Sequence, residues 1–496
     1  MKKTVVIRAD ASVKNGTGHI MRCLALGHAL KRDGNEVCFA VKECPDALLN
    51  KIKSDSFSIL RIKAKAGSIA DARELAKSAK KRKSFWIVVD GYHFTDKYQD
   101  SIKEAGLHLL FIDDYGHCRK YSADIILNQN LYAGTHFYPE PDTFTRIILG
   151  TQYALLRPDF SQYRNWKREI SEKAVRILLT LGGSDPDNTT LRLLKALKKL
   201  NFEVKAVIGG ANPHLKSLDR EISRSPNLQI LKNVSDMPAL MAWADIAITS
   251  GGSTCWETCF MGLPNIITYC ADNQKPIAMS LDSAGAAINL GHNKDLTEKK
   301  FVATLRKLSE DIETRKMMSE KGRLLVDGTG ADRVVHIMNA ASLRKAVKDD
   351  CRFVWELSNS KDVRFFSFSS DPIPWDKHRE WFKKMIADEK SSFYVAENPE
   401  GVKVGQVRFR INGKDATITT SLVLEFRGRG YGSMLIAQGS ESLFRSTGVH
   451  TIHSYIKPDN KASIRSFVKA GYCNTDLDGF AIENNSLHFV MKRGEA

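Results

Sequence analysis

Short apolar runs alternate with amphipathic stretches along the first third of the chain. Thr4–Ile7, Glu36–Val41, Phe57–Ile62, Phe85–Val89, Leu107–Ile112 and Ile125–Leu127 have strand length. Between them, Cys23–Leu30, Ala70–Arg82 and Lys97–Ala105 repeat apolar residues at helical spacing. This alternation predicts a parallel sheet covered by helices on both faces, so residues 1–150 read as one Rossmann-like α/β domain. From Gly134 to Arg168 the pattern is irregular and reads as a connector. It restarts at strand Arg176–Leu181, followed by Gly182-Gly183-Ser184-Asp185-Pro186 and a helix with Leu191, Leu194, Leu197 and Leu200 on one side. Further strands are expected at Val204–Ile208, Leu228–Leu231, Ile246–Thr249 and Pro264–Tyr269, and helices at Met237–Ala244 and Cys255–Met261. Residues 151–345 are thus a second Rossmann-like domain, with linker and return helix, facing the first across a cleft.

After a charged junction, Lys345–Asp350, strands follow one another directly. Ser392–Glu397 and Lys403–Ile411 flank Asn398-Pro399-Glu400-Gly401, a hairpin signal. Then come strand Ala416–Glu425, the turn Arg427-Gly428-Arg429-Gly430-Tyr431-Gly432, helix Ser433–Phe444, strand Thr451–Ile456, helix Asn460–Ala470 and strand Leu487–Lys492. Residues 350–496 therefore read as an α+β domain.

Composition narrows the classes. A chain of 496 residues, 43% hydrophobic and 26% charged, is a multidomain globular protein. No apolar run reaches the length of a membrane span, and Met1–Arg8 reads as a first strand, not a signal peptide. Nine cysteines without a CxxC pair argue against a disulfide framework or zinc site and fit a reducing cytoplasm. Of the net charge of +17, residues 352–496 contribute +4. The one dense cluster, Lys80-Lys81-Arg82-Lys83, reads as a solvated helix end; anionic nucleotides account for the excess as well as nucleic acid does, and no nucleic-acid or membrane partner is expected.

The chemistry gathers at strand ends, where doubly wound sheets bind ligands. These ends carry Asp10, Asp90-Gly91-Tyr92, Asp113-Asp114-Tyr115 and Asn128-Gln129-Asn130. Each alone could cap a turn; together they predict a cleft. Gly16-Thr17-Gly18-His19-Ile20-Met21-Arg22-Cys23 joins the first strand to a helix start, which offers unpaired N–H groups and a positive dipole end. That end disfavours imidazolium, so His19 is expected to be neutral and able to take a proton. Ser250-Gly251-Gly252-Ser253-Thr254 opens a second helix as a diphosphate cradle. Glu257 either closes a capping box with Thr254 or holds ribose hydroxyls. The turns lack GxxxxGK[ST], and lack GxGxxG with its acidic partner, which argues against a P-loop NTPase and an NAD enzyme.

Five stretches in order carry a resemblance: Gly16–Cys23, Leu181–Asp185, Ser250–Glu257, Asp272-Asn273-Gln274 and Asp327–Val334. Through them residues 1 to about 340 resemble the UDP-sugar hydrolases of pseudaminic-acid biosynthesis, relatives of the GT-B glycosyltransferases. The resemblance implies hydrolysis of UDP-2,4-diacetamido-2,4,6-trideoxy-β-L-altropyranose to UDP and free sugar, without a metal. It implies His19 as the base that activates water. Gly251, Gly252, Ser253 and Thr254 would face the diphosphate, Glu257 the ribose, and Asn273 and Gln274 the diphosphate or sugar. Gly18, Asp10, Tyr92, Asp113, Asp114 and Asn128 would line the sugar side. Similar motifs occur in spore-coat polysaccharide proteins, and a GT-B glycosyltransferase that passes the sugar to an acceptor is the alternative.

Arg427–Gly432 fits [QR]xxGx[GA], and Asn460-Lys461-Ala462-Ser463 with Phe467, Lys469, Ala470, Gly471 and Tyr472 follows at the matching distance. This part resembles the GNAT N-acetyltransferases. The resemblance implies acetyl-CoA as co-substrate, held by Arg427, Gly428, Arg429, Gly430, Tyr431, Gly432, Asn460 and Ser463. Phe467 stands where many members carry a tyrosine that protonates the leaving thiolate, so the acid is open between Tyr431, Tyr455 and water. The base is unassigned; His378 and Glu380 fall in the variable acceptor-binding helix region. In the pathway, acetylation of a UDP-4-amino sugar directly precedes the hydrolase step, so the fusion implies both activities in one chain. A nucleotide-sugar-binding scaffold with an inactive acetyltransferase is the non-enzymatic reading.

Overall fold

The computed structural model describes all residues except 1–3, 13–15, 143, 184, 210–211, 216, 219–224, 233, 235, 429, 476–483 and 495–496. Seven strands, β1 (Thr4–Ala9), β2 (Glu36–Val41), β3 (Ser58–Arg61), β4 (Ser84–Asp90), β5 (His108–Ile112), β6 (Ile125–Asn128) and β7 (Arg146–Leu149), make a sheet ordered β3-β2-β1-β4-β5-β6-β7. Every pairing in it is parallel. The central strands are largely apolar because helices cover both faces; Val6, Ile7, Ile87 and Val88 are fully buried, and the charged Arg8 and Asp90 stand towards the strand ends. β7 lies inside the stretch expected to be an irregular connector. It pairs with β6 from Ile125↔Arg146 to Asn128↔Leu149, but four residues without a following helical repeat leave no pattern to read.

The second sheet comprises β8 (Arg176–Thr180), β9 (Glu203–Ile208), β10 (Leu228–Lys232), β11 (Ile246–Thr249), β12 (Asn265–Tyr269) and β13 (Ala287–His292), ordered β10-β9-β8-β11-β12-β13. It too is all parallel. β13 escapes the apolar pattern because Asn289, Gly291 and His292 interrupt it. In both sheets the chain crosses back after the third strand to the other side of the first, which puts a switch point between β1 and β4 and another between β8 and β11.

Residues 1–140 and 145–337 form one compact unit, and 141–144 with 338–496 a second. The second unit holds a mixed sheet: β14 (Ser342–Lys345), β15 (Ser391–Glu397), β16 (Lys403–Asn412), β17 (Asp415–Leu422), β18 (Thr451–Ile456), β19 (Cys473–Thr475) and β20 (Leu487–Lys492), ordered β14-β15-β16-β17-β18-β20-β19. β14 was expected in the preceding domain. Its backbone pairs with β15, and Arg344 bridges to Asp350 at 2.7 Å and to Glu397, which ties it to the third sheet. β17 and β18 are parallel over three rungs only, Asp415↔Thr451 to Thr417↔His453. Beyond them β17 runs to Leu422 and β18 to Ile456, so the strands part. Helices Tyr431–Ser446 and Lys461–Lys469 pack on one face of this sheet. Among the described residues no helix is long and apolar enough to cross a membrane.

Candidate active sites

In the first unit, the loops at the two switch points face each other across a cavity of about 520 Å³. One wall carries Gly18, His19, Arg22, Tyr92, Asp114 and Asn130; the other carries Gly182, Gly183, Ser250–Thr254, Glu257, Asn273 and Gln274. The walls approach closely. A Cβ at Gly183 would lie 3.1 Å from Thr17 Oγ1 on the opposite wall.

Gly18 and His19 begin the helix Gly18–Arg32. The His19 side chain is 12% exposed, edge-on to the Tyr92 ring at 4.7 Å, with Nε2 4.0 Å from Asp90 Oδ1. Burial pushes its pKa below the ordinary 6.5; the Asp90 carboxylate pulls it up and the Arg22 guanidinium pushes it down. The neutral imidazole expected from the helix dipole is therefore present chiefly through burial. Arg22, one helical turn on, donates to Asp90 through Nε (2.7 Å) and Nη2 (2.6 Å) and to Asp114 through Nη1 (2.8 Å). Asp114 also accepts from Asn130 and from the Tyr92 hydroxyl, each at 2.9 Å. Burial raises the Asp114 pKa, but Arg22 more than offsets this and holds it down at about 2. Two carboxylates around one guanidinium leave an acidic floor under His19. The roles of Arg22 and Asp90 were not anticipated, although Arg22 stands three residues from His19 and so shares its helix face.

Three expected sugar-side residues do not line the cavity. Asp10 pairs with Arg8 (2.6 Å) and accepts the backbone N–H of Lys42 (2.7 Å) and Glu43 (3.1 Å), which ties β1 to the loop after β2. Asp113 is fully buried and accepts from the N–H groups of Tyr115, Gly116 and His117 and from the Tyr121 hydroxyl. Asn128 is fully buried, donating to the Asp114 carbonyl and the Tyr138 hydroxyl at 3.0 Å each. All three hold the turns that present their neighbours.

On the facing wall, β11 runs through Ser250–Ser253 into helix Thr254–Phe260. A Cβ on Gly251 would lie 2.4 Å from the Gln274 carbonyl oxygen, so its missing side chain admits the Asn273–Gln274 loop; one on Gly252 would meet only Ser250 Oγ, at 3.9 Å. Gln274 Oε1 accepts from the Cys270 N–H, and Asn273 Nδ2 lies 3.5 Å from the Tyr92 hydroxyl on the opposite wall. No side-chain cap forms at the start of Thr254–Phe260, and Glu257 instead pairs with Arg157 at 2.9 Å. That removes the capping-box alternative. Arg157 lies in the expected connector, where nothing in the pattern marks it.

In the second unit, the turn after β17 leads into helix Tyr431–Ser446. Gly428 (φ +73°) and Gly430 (φ +84°) adopt left-handed backbone and have open space where a Cβ would stand. Arg427 turns away from that space, donating to the Leu422 carbonyl at 2.8 Å and pairing with Asp362. A Cβ on Gly432 would meet Ser466 Oγ at 3.0 Å, which brings helix Lys461–Lys469 close. Tyr431 packs edge-on to Phe426. Asn460 caps that second helix by accepting the Ser463 N–H at 3.1 Å, so these two residues organise its start. The open space at Gly428 and Gly430, ahead of the helix start at Tyr431, leaves room for an anion such as a pyrophosphate. Arg429, and Ser184 of the first unit, lie outside the described residues. His378, in helix Trp375–Ala387, is 2% exposed among Trp375, Trp381 and Phe382.

Residues 177–332 match the family model of the glycosyltransferase family 28 C-terminal domain, and residues 342–472 that of the acetyltransferase (GNAT) domain. The chain joins a glycosyltransferase-28-type, GT-B-like sugar-nucleotide part to a GNAT acetyltransferase domain. It is 25% identical over 495 residues to the uncharacterised protein MJ1062 of Methanocaldococcus jannaschii, covering 95% of this chain and 97% of that one. It is 25% identical over 354 residues to the spore coat polysaccharide biosynthesis protein SpsG of Bacillus subtilis, covering 67% of this chain and 97% of SpsG. Among solved structures, Acinetobacter baumannii MurG aligns with TM-score 0.47 and 17% identity over 68% of this chain and 99% of that one.

Proposed function

We propose that the chain is a bifunctional nucleotide-sugar enzyme of pseudaminic-acid biosynthesis. The C-terminal unit acetylates the 4-amino group of a UDP-amino sugar with acetyl-CoA. The first unit hydrolyses UDP-2,4-diacetamido-2,4,6-trideoxy-β-L-altropyranose to UDP and free sugar. What carries this is His19, a buried neutral imidazole opposite the side-chain-poor loop Ser250–Thr254.

In this mechanism the diphosphate rests on Gly251–Thr254, with Asn273 and Gln274 beside it and Glu257, oriented by Arg157, on the ribose. Tyr92 and Asp114 face the sugar. His19 takes a proton from water as the water oxygen bonds to the anomeric carbon, and the bond from that carbon to the phosphate oxygen breaks towards UDP. Asp90, 4.0 Å away, stabilises the imidazolium that results. UDP is a good leaving group, so one base and a diphosphate clamp suffice and no metal is needed. The place of SpsG in spore coat polysaccharide biosynthesis supports a sugar substrate for this part. In the second unit, the pyrophosphate of acetyl-CoA lies on the open turn at Gly428 and Gly430.

The glycosyltransferase family 28 match favours a second reading, in which the same cleft passes the sugar to an acceptor other than water. NMR of the full chain with acetyl-CoA and the UDP-4-amino sugar separates the two. The proposal expects the N-acetylated nucleotide sugar first, then UDP and free reducing sugar without an added acceptor; accumulation of the acetylated nucleotide sugar as end product would favour the glycosyltransferase.

A further inference from the structure

Acetyl transfer needs a group that handles the proton at the leaving thiolate, and the position expected to supply it does not. Phe467 is 3% exposed and packs edge-on against Tyr472 in the core, while the Tyr472 hydroxyl is 2.8 Å from that of Ser440. A different cluster stands where β17 and β18 part. His453 and Tyr455 project from the face of β18 opposite the core residues Ile452 and Ile456. On the neighbouring strand, His488 lies directly across from Tyr455. His453 Nδ1 and His488 Nε2 are 2.9 Å apart, and His453 Nε2 is 3.5 Å from Asp415 Oδ1. The Tyr455 ring stacks on His488 with centroids 4.9 Å apart and planes 12° from parallel. Asp415, His453, His488 and Tyr455 thus form a line across three strands, and Tyr455 stands two residues past the last rung, Thr417↔His453.

The turn at Gly428 and Gly430 follows the far end of β17. From Leu422 back to Thr417 the strand spans roughly 17 Å at its rise per residue. An extended pantetheine arm is of about that length, so an arm that runs back along β17 from a pyrophosphate on the turn brings the thioester to the fork.

Resting on the acetyltransferase reading, we propose that Tyr455 is the catalytic proton donor of acetyl transfer, held in place by the stacked, hydrogen-bonded pair His488–His453. The substrate amine, having lost its extra proton to solvent, bonds through nitrogen to the acetyl carbon. The C–S bond breaks and its electron pair leaves on sulfur. Tyr455 gives its phenolic proton to the thiolate and takes back the surplus proton on the new amide nitrogen, which yields CoA–SH, the N-acetyl sugar and the neutral phenol. His488, His453 and Asp415 are positioning residues.

The test follows thiol release from acetyl-CoA by the full chain with the UDP-4-amino sugar. Tyr455→Phe lowers kcat about a hundredfold and leaves KM for acetyl-CoA unchanged. His488→Leu lowers kcat by less, and His488→Phe, which keeps a flat ring under Tyr455, recovers most of that loss. A parental kcat in Tyr455→Phe overturns the assignment. Should Tyr455→Phe melt early, the His488 pair still decides: equal losses in Leu and Phe contradict a stacking role. A parent chain that releases no thiol overturns the acetyltransferase reading itself, a different failure from a parent that works and a Tyr455→Phe that works as well.

Discussion

The glycine turns that open helices Gly18–Arg32 and Tyr431–Ser446 are put to different uses. In Gly16-Thr17-Gly18 the helix begins with a titratable ring, His19, buried over Asp90, Arg22 and Asp114. In the turn after β17, Arg427 turns back to the Leu422 carbonyl and to Asp362, and Gly428 and Gly430 have open space where a Cβ would stand. A glycine turn at a helix start therefore announces only that backbone donors are presented. Whether the site binds or reacts depends on the side chain in the first turn and on the charges buried beneath it.

The largest expected effect tests the first turn. His19→Ala lowers UDP release about a thousandfold and leaves thiol release from acetyl-CoA at the parental rate. Loss of both activities together would break the comparison. Next comes the distinction between residues that face the cavity and those that hold turns. Asp10→Ala leaves Arg8 buried with one carboxylate fewer, so unfolding by denaturant should show a loss of about 3 kcal/mol. The KM for the UDP-sugar in the folded fraction should not move.

On the backbone side, Gly430→Ala forces a Cβ into left-handed backbone at a cost of about 1–2 kcal/mol. The free turn relaxes to escape that strain and binding has to restore it, which raises the KM for acetyl-CoA roughly tenfold, read by thiol release, with UDP release untouched. The smallest effect is in pH. Burial lowers the His19 pKa, so the neutral base persists into acid, and the acid limb of kcat/KM for UDP release lies below pH 6.5. A limb above that value would mean that Asp90 outweighs burial.

The strand-end clusters were legible as a set, because polar residues closing apolar runs are visible in the pattern; their individual directions were not. Asp113 and Asp114 are adjacent, yet one folds inward to accept three backbone N–H groups and the other faces the cavity with Arg22, Asn130 and Tyr92. Which one turns inward depends on the loop path, which no local periodicity encodes. The glycine loop Ser250–Thr254 was legible through its place between strand and helix. Its partner Arg157 was not, because it follows β7 in a segment without repeat. β14 was hidden for a related reason. Four residues, Ser342–Lys345, make an edge strand only because β15, nearly fifty residues later, is there to receive them.

The two halves of the first cleft have a single chemical purpose in this account: to place water, not another acceptor, on the anomeric carbon beside His19. Incubating the full chain with UDP-2,4-diacetamido-2,4,6-trideoxy-β-L-altropyranose in ¹⁸O-water, with no other acceptor, tests this directly. Expected are UDP and free sugar in equal amounts, with ¹⁸O on the anomeric carbon at the first turnover and none in the UDP phosphate. No UDP without an added acceptor, or label in the phosphate, would contradict it.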